Sequence, residues 1–183
     1  LERRLIAHPA REVKSLQRSI VKILAHHLPI HAAATAYQAG SSIIANATIH
    51  RNAKFLLKLD FDDFFSSISR DALGQHLLRH CTGISAAEIE FVQRASLWQA
   101  DPGSQFGLCI GAPSSPFLSN TVMYDFDVAV SQICVELGVL YTRYSDDLTF
   151  SSSVPDVLTD IEHKVKTILV ELAYPTLRFN DDK

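Results

Sequence analysis

Three aspartates have the types and spacing that could perform chemistry. Asp60 closes the segment 54–60 (Lys-Phe-Leu-Leu-Lys-Leu-Asp), and Asp146 with Asp147 forms an acidic pair much later in the chain. Carboxylates that meet at one point repel each other, and they stay ionised together only beside a cation. Mg²⁺ binds a few carboxylates together with substrate phosphates, and two such ions can stabilise both the attacking and the leaving oxygen at phosphorus. The three aspartates therefore predict phosphoryl or nucleotidyl transfer if the fold brings them together.

The elements that position these aspartates follow from the spacing of the apolar residues. Residues 54–60 alternate like a strand, with leucines on one face and Lys58 and Asp60 on the other. Segments 139–145 and 148–152 predict two further strands with the Asp146-Asp147 pair at the turn between them. Apolar spacing predicts helices over 10–28, 116–137 and from Pro155 onward. Ser69 as a cap predicts a helix over 69–79, and Ser85 with Glu88 as a capping box predicts one over 85–100. The remaining segments predict a loop over 31–52 with the option of a short helix, a loop over 104–115, and a short strand over 176–179.

The order strand, helices, hairpin, helix, strand predicts an α+β fold of the β-α-β-β-α-β type. In this topology the first strand and the hairpin are neighbours at the centre of an antiparallel sheet, with helices packed on one face. The three carboxylates would then converge at one end of the sheet. The alternative is that Asp146-Asp147 is a solvated turn and Asp60 a helix cap.

Composition and charge limit the class of protein. The 183 residues are 47% hydrophobic and 20% charged, which is ordinary for a soluble globular protein. No apolar run approaches the ~20 residues of a membrane span, and the first residues do not form a signal peptide. The three separated cysteines are expected to be buried free thiols. We therefore expect a cytoplasmic protein, and the absence of an initiator Met predicts a chain that begins within a longer one.

The charges are distributed unevenly along the chain, whose net charge is −3. Residues 1–58 contain nine basic and two acidic residues, whereas residues 59–183 contain eight basic and eighteen acidic ones. A basic first third beside an acidic remainder suggests that the first binds phosphates and the second binds cations. The alternative is that these charges only solvate the surface.

Five segments, in the same order along the chain, resemble motifs of reverse transcriptases. Residues 141–151 (Tyr-Thr-Arg-Tyr-Ser-Asp-Asp-Leu-Thr-Phe-Ser) resemble the Tyr-x-Asp-Asp hairpin in its retron-type bacterial form, and residues 59–68 resemble the first palm motif, an Asp followed by two Phe. Residues 111–120 resemble the motif that supports nucleotide and template. Residues 40–50 resemble the adjoining fingers segment, and residues 179–183 resemble the Asn-x-x-Lys motif. The chain thus resembles a bacterial reverse transcriptase of the retron type.

This resemblance implies an RNA-directed DNA polymerase that adds deoxynucleotides to a primer hydroxyl on an RNA template. It implies two Mg²⁺ ions, with Mn²⁺ as the alternative, and the partners RNA template, DNA or RNA primer and deoxynucleotides. A retron enzyme would also bind a structured non-coding RNA and act in antiviral defence. The resemblance implies a palm over 54–183, partial helical fingers over 1–53 and no thumb in the chain, so we expect weak or no activity from this chain alone.

The resemblance also implies roles for individual residues. Asp60 and Asp146 would bind both metals, Asp147 would assist them, and the backbone carbonyl of Phe61 would contact the metal that holds the triphosphate. Lys183 would donate a proton to the leaving pyrophosphate or neutralise its charge. The resemblance implies nucleotide contacts at Phe65 as steric gate and at Phe64, Pro113, Ser114, Arg51 and Lys58, and template or primer contacts at Gly111, Ser115, Pro116, Asn120 and Tyr144.

Two positions depart from the family pattern. The Gln that usually stands two residues before Ala-Pro is Ile110, and the Arg often found in the fingers segment is replaced by Gln38 or Ser41. Arg51, Lys54 and Lys58 are the candidates to replace its charge.

Three alternative functions stay open. The chain could belong to another bacterial reverse transcriptase, of the group II intron or abortive-infection type. A long basic region downstream with a nuclease or maturation domain would favour the intron type. It could be a catalytically inactive palm-fold protein that binds nucleic acid, although the three aspartates argue against that. It could also be a palm-fold cyclase or another non-templated nucleotidyltransferase, which would not need the motif at 111–120.

Overall fold

The computed structural model describes residues 8–180, which form helices and strands in two compact units. The first unit holds the chain up to Pro29 together with Asp63–Val122, and the second holds Ile30–Asp62 together with the chain from Met123. The elements are α1 (Arg11–Leu24), α2 (Ile43–His50), β1 (Phe55–Asp62), α3 (Phe64–Ser67), α4 (Arg70–His80), α5 (Ala86–Ser96), β2 (Leu97–Trp98), β3 (Gly107–Leu108), α6 (Ser115–Val122), α7 (Tyr124–Glu136), β4 (Leu140–Tyr144), β5 (Asp147–Ser152), α8 (Val157–Glu171) and β6 (Arg178–Phe179).

The second unit is built on an antiparallel sheet with the strand order β4-β5-β1-β6. Helix α7 contacts β4, and α8 contacts β5 and β1. Ile161, Val165 and Leu169 recur at helical spacing on α8 and are buried, so this helix turns one apolar stripe to the sheet. The prediction of an α+β fold is confirmed.

The first unit contains α1, α3 to α6 and the small β2–β3 pair. Helix α5 contacts both α1 and α4, and α4 also contacts α6. Its core includes Ile68, Leu73, Leu77 and Leu118, all of them fully buried. The predicted caps are confirmed: the Ser69 side chain accepts a hydrogen bond from Ala72 N, and Ser85 forms a capping box with Glu88. The three cysteines are buried free thiols, as predicted.

Four sequence predictions are wrong in detail. The helix predicted over 116–137 is two helices, because the chain turns at Met123, where φ is −80° and ψ is 1°. Hydroxyls in the preceding helix bond its own backbone, Ser119 to Pro116 O and Thr121 to Leu118 O, and such bonds compete with the helical ladder. The apolar spacing continues across the turn and therefore does not reveal it. Strand β2 replaces the end of the helix predicted over 85–100, and strand β3 replaces part of the loop predicted over 104–115. Strands of two residues are too short to show an alternating pattern in the sequence.

The third correction concerns the hairpin. Asp147 is the first residue of β5 and pairs with Tyr144, so the turn consists of Ser145 and Asp146 rather than of both aspartates. Similarly, β1 continues past Asp60 to Asp62. The proposed division at residue 53 into fingers and palm stays a prediction. None of the helices within residues 8–180 is long and apolar enough to cross a membrane.

Candidate active site

The pairing of β1 with β5 places the acidic residues at one end of the sheet. Asp60 lies directly opposite Asp147 in the register, and the N–H of Phe61 donates to the carbonyl oxygen of Asp146 at 3.2 Å. Directly opposed residues of an antiparallel pair project to the same face, with Cβ atoms ~5 Å apart. The structure therefore brings Asp60, Asp146 and Asp147 together from two distant parts of the sequence.

The backbone around these residues is held by further main-chain bonds. The carbonyl oxygen of Asp60 accepts a hydrogen bond from the N–H of Asn180 at 2.8 Å. On the next residue, the Phe61 ring stacks on Phe179 with 4.9 Å between centroids. Strand β6 thus supports β1 at the point where the aspartate stands.

The electrostatics of the cluster favour a cation. Burial raises the pKa of the Asp146 carboxyl, and the neighbouring carboxylates of Asp60 and Asp147 raise that pKa further. Asp60 is itself only 8% exposed. Lys58 Nζ lies 3.6 Å from Asp147 Oδ1, but both side chains are substantially exposed, and such pairs contribute only ~0–1 kcal/mol. Lys58 therefore compensates little of the repulsion among the three carboxylates, and a bound cation would relieve it.

The donor chemistry of the cluster fits a hard divalent ion. Carboxylate oxygens and backbone carbonyl oxygens are ligands that suit Mg²⁺. Among residues 8–180, no three His, Cys, Asp or Glu side chains already have the mutual arrangement of a metal-binding group. The fit therefore rests on the types of donor and on the strand register.

The turn that carries Asp146 is held by a buried arginine that the sequence reasoning did not assign. Arg143 is fully buried and forms a bidentate pair with Asp127, with Nε–Oδ1 at 2.9 Å and Nη2–Oδ2 at 2.7 Å. Its Nη1 donates to the carbonyl oxygen of Ser145 at 2.9 Å. Ser145 has a left-handed φ of +62°, a conformation that two-residue hairpin turns favour. Arg143 therefore binds the residue that precedes Asp146.

The same buried network includes a tyrosine hydroxyl. Tyr141 donates to Asp127 Oδ1 at 2.7 Å. Burial, followed by the nearby charge of Asp127, holds the pKa of Tyr141 well above its usual value. Burial alone would lower the pKa of Arg143, but the Asp127 carboxylate more than compensates and raises it. A lone Asp on the apolar face of α7 and a lone Arg within a strand are the signals that could have revealed this pair.

Two side chains from the segment before β1 also contact the hairpin. The Tyr37 hydroxyl lies 2.9 Å from Ser145 Oγ. The buried His50 ring at the end of α2 bonds Ser151 Oγ through Nδ1 at 2.7 Å and Thr142 Oγ1 through Nε2 at 2.8 Å. Burial lowers the pKa of His50, so the neutral ring is favoured. His50 thus attaches α2 to β4 and β5, and Tyr37 contacts the turn between these strands.

The remaining predicted residues of the second unit are placed as follows. Tyr144 is half-buried at the end of β4, opposite Asp147. Lys58 lies on the same strand as Asp60 and contacts Asp147. Arg51 is exposed and directly follows α2. It lies before the first residue of β1, whereas Asp60 lies near the last residue of that strand. Lys183 lies outside the described residues.

The first unit contains the other predicted nucleotide and template residues. Phe64 is buried and Phe65 half-buried on α3, with their rings edge to face at 5.4 Å. Close by, Gly107 of β3 approaches the α3 backbone so tightly that an added Cβ would lie 2.2 Å from Ser66 O. The predicted template segment runs into α6, with Gly111 exposed, Pro113 and Pro116 half-buried, and Ser114, Ser115 and Asn120 buried.

Comparisons with known proteins agree with this geometry. The family described as "Reverse transcriptase (RNA-dependent DNA polymerase)" matches residues 2–183. The chain is 41% identical over 182 residues to Retron Ec83 reverse transcriptase of Escherichia coli, which covers 98% of this chain and 58% of that protein. It is 36% identical over 160 residues to Retron Mx162 reverse transcriptase of Myxococcus xanthus, which covers 81% of this chain and 33% of that protein.

One solved structure shows a likeness of fold alone. This is the apo telomerase of Candida tropicalis truncated from its C-terminal domain, which is 14% identical with a TM-score of 0.51 over 96% of this chain and 41% of that one. The chain spans less than two thirds of the length of each of these relatives. Since the family match extends over nearly every residue, the resemblance predicted from the motifs is confirmed, and the chain belongs to the reverse transcriptase (RNA-dependent DNA polymerase) family.

Proposed function

We propose that this chain is the catalytic part of a retron reverse transcriptase that copies an RNA template into DNA. The observation that carries the proposal is the register that sets Asp60 opposite Asp147, with Asp146 at the adjoining turn. The names of the similar proteins, retron reverse transcriptases from two bacteria, support the retron assignment. The partners would be an RNA template, a DNA or RNA primer, deoxynucleotides and a structured non-coding RNA.

The strand order supports the finer assignment of a polymerase palm. A β-α-β-β-α-β unit places its first strand between the third and the last, and β1 here lies between β5 and β6. Both central strands deliver their acidic residues to the same end. The palm would therefore be the sheet of the second unit with α7 and α8 upon it.

In this mechanism the protein contributes position and charge. Asp60 and Asp146, with the Phe61 carbonyl and with Asp147 assisting, would hold two Mg²⁺ ions. When bound, these ions would stabilise the attacking and leaving oxygens at phosphorus. Arg143 keeps Asp146 in place through the Ser145 carbonyl. The Lys58 ammonium is available to neutralise a triphosphate oxygen beside Asp147.

Substrate selection would depend on residues of the first unit. The half-buried ring of Phe65 would lie under the sugar and exclude a 2′-hydroxyl, while the buried Phe64 ring anchors its helix. Pro113 and Pro116 would fix the bend around Ser114 and Ser115, because proline restricts φ. Gly111 and Asn120 would shape this template-supporting segment, and Lys183 would act on the pyrophosphate.

Primer extension on an RNA template by a full-length protein that contains this chain tests the proposal, since the chain alone is expected to extend a primer weakly or not at all. We expect Asp146→Asn and Asp60→Asn each to reduce extension on the order of 10³-fold, because each removes an anionic ligand of the ions that would stabilise the attacking and leaving oxygens. Asp160→Asn, on the exposed face of α8, is the matched control and should leave extension unchanged. Equal extension by wild type and Asp146→Asn would reject the proposal, and nucleic-acid binding without extension in either protein would favour the inactive palm-fold alternative.

A further inference from the structure

The first unit contains a cleft of about 220 Å³ between the start of α1 and the end of α5. Its lining includes Gln17 of α1, Ser96 at the end of α5 and Trp98 of β2. Pockets for drug-sized ligands usually measure ~300–1,000 Å³. A ligand for this cleft is therefore about the size of one planar heterocycle with part of a substituent.

The wall of the cleft contains two buried polar atoms for which a bound ligand could supply the hydrogen-bond partner. Gln17 is 3% and Ser96 is 1% exposed. The Gln17 amide donates from Nε2 to Ala95 O at 2.9 Å, which fixes the amide and leaves Oε1 as its acceptor. Within residues 8–180, neither Gln17 Oε1 nor Ser96 Oγ has a hydrogen-bond partner. Buried polar atoms normally have one, so a group bound in the cleft would supply an N–H or O–H donor to Gln17 Oε1 and a donor or an acceptor to Ser96 Oγ.

The rim of the cleft adds an aromatic surface and cations. Trp98 is 36% exposed. The Arg94 side chain extends into solvent, and its Nη2 atom lies 2.8 Å from Glu90 Oε1. His8 completes the rim, and its Nδ1 lies 3.3 Å from Lys14 Nζ. From that lysine a basic stripe continues along the solvent side of α1, formed by Arg11, Lys14, Arg18 and Lys22 at helical spacing.

We propose that this cleft binds one unpaired base of a single-stranded nucleic acid whose backbone follows the basic stripe of α1. The base would stack on Trp98, as bases do on aromatic side chains of single-strand-binding proteins. Its N–H groups would donate to Gln17 Oε1 and Ser96 Oγ. Arg94 would contact the adjoining phosphate, and the stripe would neutralise those that follow.

This site goes beyond the proposed function and uses none of the residues assigned to polymerisation. Its existence does not depend on catalysis, and its binding is measurable without primer, deoxynucleotides or Mg²⁺. Asp146→Asn should therefore bind the same strand unchanged even where extension is lost, which separates failure of the cleft from failure of the polymerase assignment.

Trp98 is the only tryptophan in the chain, so intrinsic fluorescence of the 183-residue protein reports on the cleft directly. We expect saturable quenching by a short single-stranded RNA, with a DNA strand of the same sequence and a mononucleotide titrated in parallel. The mononucleotide should bind far more weakly, because it cannot follow the stripe. Equal affinity for the mononucleotide would overturn the assignment to a strand, and unaltered fluorescence with every probe would show a cleft that holds water only.

Two variants test the chemistry of the site. Ser96→Ala should weaken binding about fivefold through one lost hydrogen bond. Arg94→Gln should weaken it as well and reduce the slope of log affinity against log salt by about 0.7, the value for one phosphate on a single strand. The exposed Ser153→Ala and Lys164→Gln are matched controls. Wild-type affinity and salt slope in both cleft variants, with unchanged melting temperatures, would overturn the proposal.

Discussion

At the scale of single residues, the acidic cluster is supported by a buried charge pair. Arg143 and Asp127 are both fully buried, and their pairing satisfies two charges that could not otherwise leave water. The arginine has one further donor directed at Ser145 O, so the pair also fixes the backbone just before Asp146. Because the Arg143 guanidinium holds the backbone of the turn, replacing this arginine should disturb the position of Asp146 even though all three aspartates remain.

We predict that Arg143→Met lowers the free energy of unfolding by ~3–5 kcal/mol, because it leaves the Asp127 charge buried and unpaired. Urea denaturation followed by circular dichroism measures the change. Tyr141→Phe is the matched control, since it removes only one hydrogen bond to Asp127 and should cost ~1 kcal/mol. A loss below about 1 kcal/mol in Arg143→Met would contradict this account.

At the scale of elements, close packing between short segments fixes where the site residues stand. Helix α2 is attached to β4 and β5 by the buried His50 ring, and β3 lies against the backbone of α3 at Gly107. The His50 side chain makes the first attachment, and the missing side chain of Gly107 permits the second. Both attachments lie beside segments to which site residues were assigned.

The His50 attachment should make stability depend on pH. Burial lowers the pKa of this ring below 6.5, so the unfolded chain binds a proton more readily than the folded one. The contribution is complete above pH ~6.5 and is lost as pH falls from there towards the folded pKa. We expect His50→Leu to lower the free energy of unfolding at pH 7.5 by ~1–3 kcal/mol and to flatten its decline on acidification.

The control for this experiment is His163→Leu, at an exposed position on α8. Its unfolding free energy should follow that of wild type across the same pH range. A wild-type decline that persists unchanged in His50→Leu would assign the pH dependence to other groups.

Two glycines with close neighbours should respond differently to replacement by alanine. In Gly107→Ala the new Cβ would meet the Ser66 backbone at 2.2 Å, and we expect a loss of ~1–3 kcal/mol because backbone must shift. In Gly74→Ala the Cβ would meet only the end of the Gln93 side chain at 2.7 Å, and the gain in helix propensity of ~1 kcal/mol offsets that contact. Thermal unfolding of both variants checks the contrast, which fails if they are equally stable.

At the scale of the whole molecule, the chain separates into two units that divide its proposed work. The second unit holds the acidic cluster, and the first holds Phe65, the template segment and the cleft beside Trp98. Each unit is assembled from two stretches of sequence, so the residues that share a task are far apart along the chain. Cation binding and strand binding should accordingly be separable by mutation.

Mg²⁺ should stabilise the whole protein through the acidic cluster. At ten times its Kd, an ion that binds only the folded state adds roughly 1.4 kcal/mol to the free energy of unfolding. We expect this increase in wild type and in Asp160→Asn, and its absence in Asp60→Asn with Asp146→Asn combined. Denaturant titrations with and without Mg²⁺ measure it, and the same increase in the double variant would place the ion elsewhere.

The sequence alone determined the elements with a clear period or cap. Alternation predicted β1, i to i+4 spacing predicted α1 and α8, and a serine with Glu three residues later predicted the capping box of α5. The motif order predicted the family, which the comparison confirmed. Each of these features depends on residues that are close together in the sequence or on the order of motifs along it, so the sequence alone is sufficient to predict them.

Tertiary structure decided the features that depend on contacts between distant residues. It set Asp147 inside β5 rather than at the turn, broke the long helix at Met123, and joined Arg143 to Asp127 and Ser145. It also left Gln17 and Ser96 facing one cleft. A residue's partners across the fold are not encoded in its own neighbours, so no period or motif in the sequence could predict them.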